Sequence, residues 1–138
     1  MKKIICIGLT LLLIGCSNDN KLIIDKLKKQ EFTCEKNVCY LDSWVTGVYD
    51  SFDFNNDITW TTMIAQCDTL DFSGATFIIN FSKETLTINE NEDIYNCTFD
   101  PKTRKIKECS QNYENAQLVL DTLFTNLEQF SLTYQELK

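Results

Sequence analysis

The chain contains no histidine, a single proline and only four glycines among its 138 residues. Histidine is the commonest general base, metal ligand and pH switch in proteins, so Ser-His-Asp and Cys-His catalytic sets cannot be built from this chain alone. A chain of this length also leaves little room for a deep cleft. We therefore expect a protein without catalytic activity, without a cofactor and without a bound metal.

Basic residues are scarce in the middle of the chain. Residues 37–100 contain Lys83 as their only base against eleven acids. Nucleic acids and anionic lipids are both bound by basic surfaces, so this acidic centre argues against a nucleic-acid partner and against a protein that lies flat on anionic lipid. It favours a cationic partner. The alternative is a solvated surface that keeps an exported protein soluble.

The N-terminus has the pattern of a secretory signal. Lys2 and Lys3 precede an apolar run from Ile4 to Ile14, which is too short to span a bilayer as a permanent helix. The run ends in Leu13-Ile14-Gly15-Cys16, and this ending resembles the lipobox of bacterial lipoproteins. The alternative is an ordinary cleavable signal in which Cys16 is incidental.

The resemblance implies that the chain is cut before Cys16 and that this cysteine carries the acyl chains, typically palmitate, at the new N-terminus. Residues 1–15 are then the signal peptide, 16–20 the lipidated cysteine and its tether, and 21–138 one domain. It also implies a membrane contact through this anchor in the bacterial cell envelope. In this family, serine after the lipidated cysteine usually permits passage to the outer membrane of a double-membraned cell, and Ser17 implies the same for this chain. The lysines just after the anchor can rest on lipid phosphates.

Export to an oxidising compartment makes disulfides the first interpretation of the remaining cysteines. A two-residue turn at Lys36-Asn37 places Cys34 opposite Cys39 as a non-hydrogen-bonded pair, whose close Cα atoms suit a disulfide. The same register puts Phe32 and Leu41 on the face of the two cysteines.

Cys97 and Cys109 flank a second hairpin, whose turn is formed by residues 100–103. If Phe99 and Ile106 both point inward, strand alternation puts Cys109 on the wrong face unless a β-bulge intervenes. The sequence leaves this pairing open. Cys67 is the remaining thiol, and a buried, unreactive side chain is the favoured interpretation.

The alternation of apolar residues predicts four consecutive short strands over 75–81, 85–89, 93–99 and 104–109. A short helix is expected over 20–30 and a bent strand over 44–54. Residues 57–70 are ambiguous: Trp60, Met63 and Ile64 fit helical spacing, whereas the Thr-rich run favours a strand. We favour the helix.

Apolar residues recur at gaps of three and four from Ala116 to Leu137, which predicts one long helix over about 112–137. The positions beside this seam supply no charge pairs for a coiled-coil dimer, so we expect a monomer. The predicted fold class is α+β: an antiparallel β-meander with a short N-terminal helix and a long C-terminal amphipathic helix packed on the sheet.

Two acidic segments, Asp53-x-Asn55-x-Asp57 and Asn89-x-Asn91-x-Asp93, have the first ligand spacings of a calcium loop. Each has isoleucine where the loop needs glycine, so we interpret both as solvated turns.

Aromatic residues alternate with acids between positions 44 and 72, and most of them are expected in the core. Trp44 and Tyr49 flank the irregular segment at Gly47, and we expect them to be exposed binding residues. Leu118 and Leu132 are candidates for an exposed apolar patch on the last helix.

Two functions remain. One is an accessory or assembly lipoprotein that binds a protein partner. The other is an acidic inhibitor or trap for a basic protein such as a lysozyme.

Overall fold

A computed structural model describes residues 20–43, 47–64 and 74–138. The predicted signal segment and the lipobox-like ending with Cys16 lie outside these ranges, as do Trp44 and Cys67. The described residues form an α+β fold with an eight-stranded antiparallel open sheet, a short N-terminal helix and C-terminal helices. The N-terminal helix α1 covers residues 20–29. The strands are β1 Thr33–Glu35, β2 Val38–Ser43, β3 Val48–Asp53, β4 Thr59–Ile64, β5 Ala75–Asn80, β6 Thr85–Glu90, β7 Asp93–Asp100 and β8 Lys105–Cys109.

Each strand pairs with its neighbour in the sequence, from β1 at one edge to β8 at the other. The predicted meander is therefore confirmed, and it extends over more strands than the sequence indicated. In a meander, the turns that follow odd-numbered strands lie at one end of the sheet and those that follow even-numbered strands lie at the other. This rule places every hairpin turn at a known end.

The two faces of the sheet differ in burial because successive side chains of a strand point to opposite sides. In β5, for example, Ala75, Phe77 and Ile79 are buried, while the residues between them are half-buried. We call the buried side the inner face and the opposite side the outer face. The inner face shares one hydrophobic core with residues of all three helices.

The interpretation of residues 57–70 as a helix is wrong for the part that the structure describes. Residues 59–64 form β4, which lies between β3 and β5 in the sheet. The helical spacing of Trp60 and Ile64 is coincidental, since both are also inward positions of a strand. β-Branched residues pack well on a pleated surface, and that preference decides this segment.

The prediction of one helix over 112–137 is also wrong. Helix α2 runs from Ala116 to Gln129, and a separate helix α3 covers Tyr134–Leu137. Ser131 takes a left-handed φ of 62° and ends the first helix. The side chain of Glu136 then accepts hydrogen bonds from the backbone N–H and the hydroxyl of Thr133, a capping box that starts α3. Thr133-x-x-Glu136 was the sequence signal of this break.

The predicted Cys34–Cys39 disulfide is present, and so is the Cys97–Cys109 disulfide, which the sequence left open. Cys34 faces Cys39 across the β1–β2 hairpin, as the turn register predicted. Cys97 faces Cys109 while Phe99 faces Ile106, so β8 carries one more residue than β7 between these pairs. Because of this bulge, Cys109 reaches the face of Cys97.

The edge strand β8 is covered by a side chain of α2. The Gln117 Oε1 atom accepts a hydrogen bond of 2.8 Å from the backbone N–H of Ile106, and its Nε2 atom donates one of 2.8 Å to the carbonyl of Arg104. The side-chain amide thus takes the place of a neighbouring strand's peptide group. Edge strands with free backbone groups promote unwanted pairing, which this contact reduces.

Replacing Gln117 by Ala should lower the free energy of unfolding by about 1–2 kcal/mol, because it leaves a part-buried backbone donor without its partner. Gln111→Ala is the control, since Gln111 makes only an exposed hydrogen bond of 3.2 Å to the carbonyl of Ile94. Urea unfolding of both variants measures the difference. Equal stabilities would contradict the role of Gln117.

Candidate binding surface

Four apolar side chains lie next to one another on the outer face of β2–β5. Tyr49 pairs directly with Met63 across β3 and β4. Tyr40 lies diagonally beside Tyr49, and their rings stack with centroids 6.2 Å apart. Ile78 of β5 lies diagonally beside Met63, because Thr61 faces Ile78 and Met63 faces Thr76. We call these four residues the Tyr–Met patch.

The patch is accessible and has an acidic border. Met63 is 45% exposed, while the other three members are half-buried. Asp42 is exposed and pairs with Tyr49 in the sheet register. On the inner face, the ring centroid of the buried Phe99 lies 6.0 Å from that of Phe124 in α2. The patch therefore combines an apolar centre with a negative edge, as protein-binding surfaces often do.

Of the two residues predicted to bind, Tyr49 is half-buried within the patch and Trp44 lies outside the described residues. The expectation that the other aromatics are core residues is confirmed for Phe52, Phe54 and Trp60, each no more than 3% exposed. The sequence missed Tyr40, Met63 and Ile78 as members of the same surface. Tyr49 and Met63 are adjacent only if residue 63 lies in a strand, whereas the spacing of apolar residues favours a helix there.

The exposed apolar patch that the sequence predicts on the last helix does not form. Leu118 is 53% exposed on α2, as expected, but Leu132 is 1% exposed and belongs to the core. Leu132 follows the left-handed Ser131, so the chain turns inward at the point where a continuous helix would have pointed it outward.

Asp50 is a buried carboxylate on the inner face of β3. It is 6% exposed, and its Oδ1 atom accepts hydrogen bonds from Trp60 Nε1 at 3.0 Å and from the Thr62 hydroxyl at 2.7 Å. Burial raises the pKa of this carboxyl, although the two hydrogen bonds oppose the rise. Both hydrogen bonds join Asp50 to the neighbouring strand β4, so the carboxyl group links the two strands on the inner face.

A small cavity beside Thr62 is lined by side chains of the sheet and of α2. Its volume is about 70 Å³, and its lining includes Phe77 and Leu123. Sites for small organic ligands typically measure about 300–1,000 Å³. This cavity has room for one or two water molecules, not for a cofactor.

The calcium-like segment 53–57 forms a turn held by its own side chains. The Asp53 Oδ1 atom accepts hydrogen bonds from the backbone and the side chain of Asn55, both at 2.9 Å. Asp57 instead forms an ion pair with Lys83 at 3.7 Å. Within the described ranges, no three metal-ligating side chains come together.

Charge is distributed unequally between the two ends of the sheet. At the end of the turns that follow even-numbered strands, the described residues include acids and no base. These acids are Asp42, Glu90, Glu92, Asp93 and Glu114, the last next to Tyr113, whose hydroxyl donates to Glu90 at 2.6 Å. We call this the acidic end.

The opposite end carries bases. The turns that follow odd-numbered strands contain Lys36, Lys83, Lys102 and Arg104. Helix α3 lies at the same end, because the Tyr134 hydroxyl donates a hydrogen bond to the carbonyl of Phe81 after β5. Helix α1 is joined to α3 by an ion pair between Lys26 and Glu136. We call this the basic end because, among the described residues, the bases of the turns lie here and not at the acidic end; the acids Asp57, Glu84 and Asp100 also lie here.

No helix in the described residues is both long and apolar enough to cross a membrane. No protein-family model, no curated protein and no solved structure matches the chain.

Proposed function

We propose that the protein is a lipid-anchored lipoprotein of the bacterial cell envelope that binds a protein partner without catalysis. The observation that carries the binding role is the Tyr–Met patch, an exposed apolar surface on the sheet face opposite the helices. Aromatic residues and methionine are enriched where proteins bind one another, and charged residues are found at the rim. The acidic border formed by Asp42 suits a partner whose own rim is basic.

The anchor is proposed at Cys16 on the lipobox pattern, with removal of residues 1–15. Acyl chains hold a protein stably at a membrane when two or more are present, so the domain itself needs no membrane-inserting surface. Replacement of Cys16 by Ala should abolish incorporation of labelled palmitate and release the protein from the membrane fraction. Retention of the label in this variant would contradict the anchor.

We also propose that α2 acts as an amphipathic helix that packs on the inner face of the sheet. Six of its residues are buried, including Leu120, Leu123 and Leu127. Beyond its C-terminus, the ring of Phe130 lies 5.1 Å from that of Phe32 and 6.0 Å from that of Trp60. These contacts support an arrangement in which the helix stabilises the sheet from behind and leaves the outer face for the partner.

The patch is tested by substituting Met63 with Asp in the lipid-anchored, affinity-tagged protein and capturing partners from envelope extract. We expect the substitution to reduce the captured partner at least tenfold, because a carboxylate would be buried in an apolar contact. Leu118→Asp is the matched control, since Leu118 is similarly exposed on a different surface. An equal loss with both variants, or no loss with Met63→Asp, would exclude the patch as the binding site.

The acidic end supports the second candidate, a trap for a basic protein. Five acids gather there without a base among the described residues, so binding would depend on charge and would weaken steeply with salt. The same capture experiment distinguishes the two functions when washed at about 0.5 M salt. A partner retained by the wild type but lost with Met63→Asp supports the patch. A basic partner lost at high salt, and lost at low salt with Glu92→Lys and Asp93→Lys, supports the trap.

A further inference from the structure

The outward face of α1 combines positive charge with one exposed leucine. Lys21, Leu22, Lys28 and Lys29 are exposed, whereas Ile23 and Leu27 point into the core. In a helix, residues 21, 22, 25, 28 and 29 lie within one arc of about a third of the circumference. Asp25 is the one acid on this arc, where it pairs with Lys21 at 3.2 Å. Three lysines against one acid leave the face positive.

Leu22 is the one apolar residue within this arc of α1, and its side chain is exposed. It is 63% exposed, the highest value among the large apolar residues described. A leucine between lysines suits a helix at the surface of a bilayer, where the apolar side chain can enter the headgroup layer and the ammonium groups can contact phosphates.

The length of chain before α1 brings this face close to the bilayer. Three residues separate Cys16 from Asn20, the first described residue of the helix. Four residue steps reach at most about 14 Å even when fully extended. With Cys16 acylated, α1 must therefore begin within that distance of the lipid headgroups. No other element of the fold is connected to the anchor so closely.

Taken with the charge distribution, the geometry points to one orientation. We propose that the outward face of α1 docks on the surface of an anionic phospholipid bilayer, so that the basic end faces the membrane and the acidic end points away from it. This inference rests on the proposed anchor at Cys16, and it names a second contact beyond the acyl chains. The bilayer is the occupant of this face, and the protein partner is left with the acidic end and the Tyr–Met patch.

The opposite orientation is unfavourable for the same electrostatic reason. Strands of six residues separate the two ends by about 20 Å, more than twice the Debye length of about 8 Å at physiological salt. With α1 on the bilayer, the acids of the other end are screened from the lipid phosphates. If the molecule were inverted, Glu92 and Asp93 would lie against them. An acidic protein can thus contact anionic lipid end-on, although its net charge opposes contact along its whole length.

The test uses the complete protein, produced with its leader, extracted from membranes and reconstituted into phosphatidylcholine vesicles with or without about 30% phosphatidylglycerol. One form carries the photo-crosslinking residue p-benzoylphenylalanine in place of Leu22. The control form carries it in place of Ile94, a residue at the acidic end that is 52% exposed. Crosslinks to lipid are counted by mass spectrometry after the vesicles have been floated.

We expect lipid crosslinks from position 22 to exceed those from position 94 at least fivefold in vesicles that contain phosphatidylglycerol. They should fall at least fivefold in pure phosphatidylcholine and when Lys28→Glu and Lys29→Glu are added. These lysines are exposed, so unchanged thermal unfolding serves as the control for the fold. Equal numbers of lipid crosslinks from the two positions would overturn the orientation. So would a number of crosslinks from position 22 that changes neither with phosphatidylglycerol nor with the two Lys→Glu substitutions.

Flotation separates the two levels of the proposal. Protein that floats with the vesicles but gives no crosslinks from position 22 would leave the anchor in place and overturn the docking of α1. Protein that does not float would overturn the anchor and, with it, the docking.

Discussion

Replacing Asp50 by Ala is expected to lower the free energy of unfolding by about 2–4 kcal/mol. The carboxylate accepts hydrogen bonds from two groups of the neighbouring strand, Trp60 Nε1 and the Thr62 hydroxyl. Trp60 is 1% exposed and Thr62 2% exposed, so bulk water does not reach the two donors. Each buried donor without a partner costs about 1–3 kcal/mol. Urea unfolding at pH 7 measures the loss, and a change below about 1 kcal/mol would contradict this role of Asp50.

Asp50→Asn is the matched variant, because its side-chain carbonyl can accept both hydrogen bonds without carrying a charge. We expect it to cost less than about 1 kcal/mol at pH 7. An equal loss with Asn and Ala would show that the charge, and not the acceptor, is what the site requires.

The same pair of proteins gives a pH dependence with a defined sign. Burial raises the pKa of Asp50 in the folded state, so the folded protein binds this proton more tightly than the unfolded chain does. The part of the stability that comes from protonation of Asp50 is therefore fully present below the unfolded pKa of about 3.9, and this part is lost as the pH rises through the folded pKa. Burial alone would raise the pKa of Glu136, but the hydrogen bonds from Lys26 and Thr133 together lower it, so Glu136 shifts stability with pH in the opposite direction. Since Glu136 is unchanged in Asp50→Asn, subtracting the two stability curves isolates Asp50.

Removing the Cys97–Cys109 disulfide should cost about 3 kcal/mol, and removing Cys34–Cys39 about 2 kcal/mol. A crosslink stabilises mainly by restricting the unfolded chain, and the restriction grows with the length of the loop that it closes. The sequence separations are 12 for the first pair and 5 for the second.

Each disulfide is removed by replacing both of its cysteines with alanine, followed by denaturant unfolding without reductant. Cys97 and Cys39 are buried to the same extent, at 1% and 0% exposure, so the cost of the shortened side chains nearly cancels between the two variants. A larger loss from the Cys34 and Cys39 double variant would contradict the loop-length argument. It would indicate that the β1–β2 edge contributes more to the folded state than the β7–β8 edge.

Local patterns in the sequence were sufficient to predict the features that depend on a single strand or a single turn. The alternation of apolar residues predicted β5–β8 to within about one residue at most ends, because a half-buried strand must alternate. The turn at Lys36-Asn37 fixed the partner of Cys34, because a two-residue hairpin has only one register. For Cys97, the strand pattern allowed a disulfide with Cys109 only if a bulge lies between them and Phe99–Ile106, and the structure contains this bulge.

Patterns failed where two periodicities coincide. Trp60 and Ile64 are four residues apart, so they share one face of a helix and also one face of a strand. What decided the outcome was the pair of neighbouring strands, β3 and β5, that segment 59–64 completes. The prediction of one C-terminal helix failed for a similar reason. The apolar repeat continues past Ser131, but the backbone takes a left-handed φ at this residue, and Leu132 is buried as a result.

The sequence by itself determined the composition of this protein and its local patterns: no histidine, an N-terminal apolar run that ends in Leu-Ile-Gly-Cys, an acidic middle and a series of short alternating strands. The tertiary structure alone decided which residues share a surface. Tyr40, Tyr49, Met63 and Ile78 come from four strands, and only the pairing register makes them neighbours. The acidic and basic ends likewise follow from the meander, which gathers turns distant in sequence. Sequence patterns report on neighbours along the chain, whereas a binding surface depends on neighbours in space.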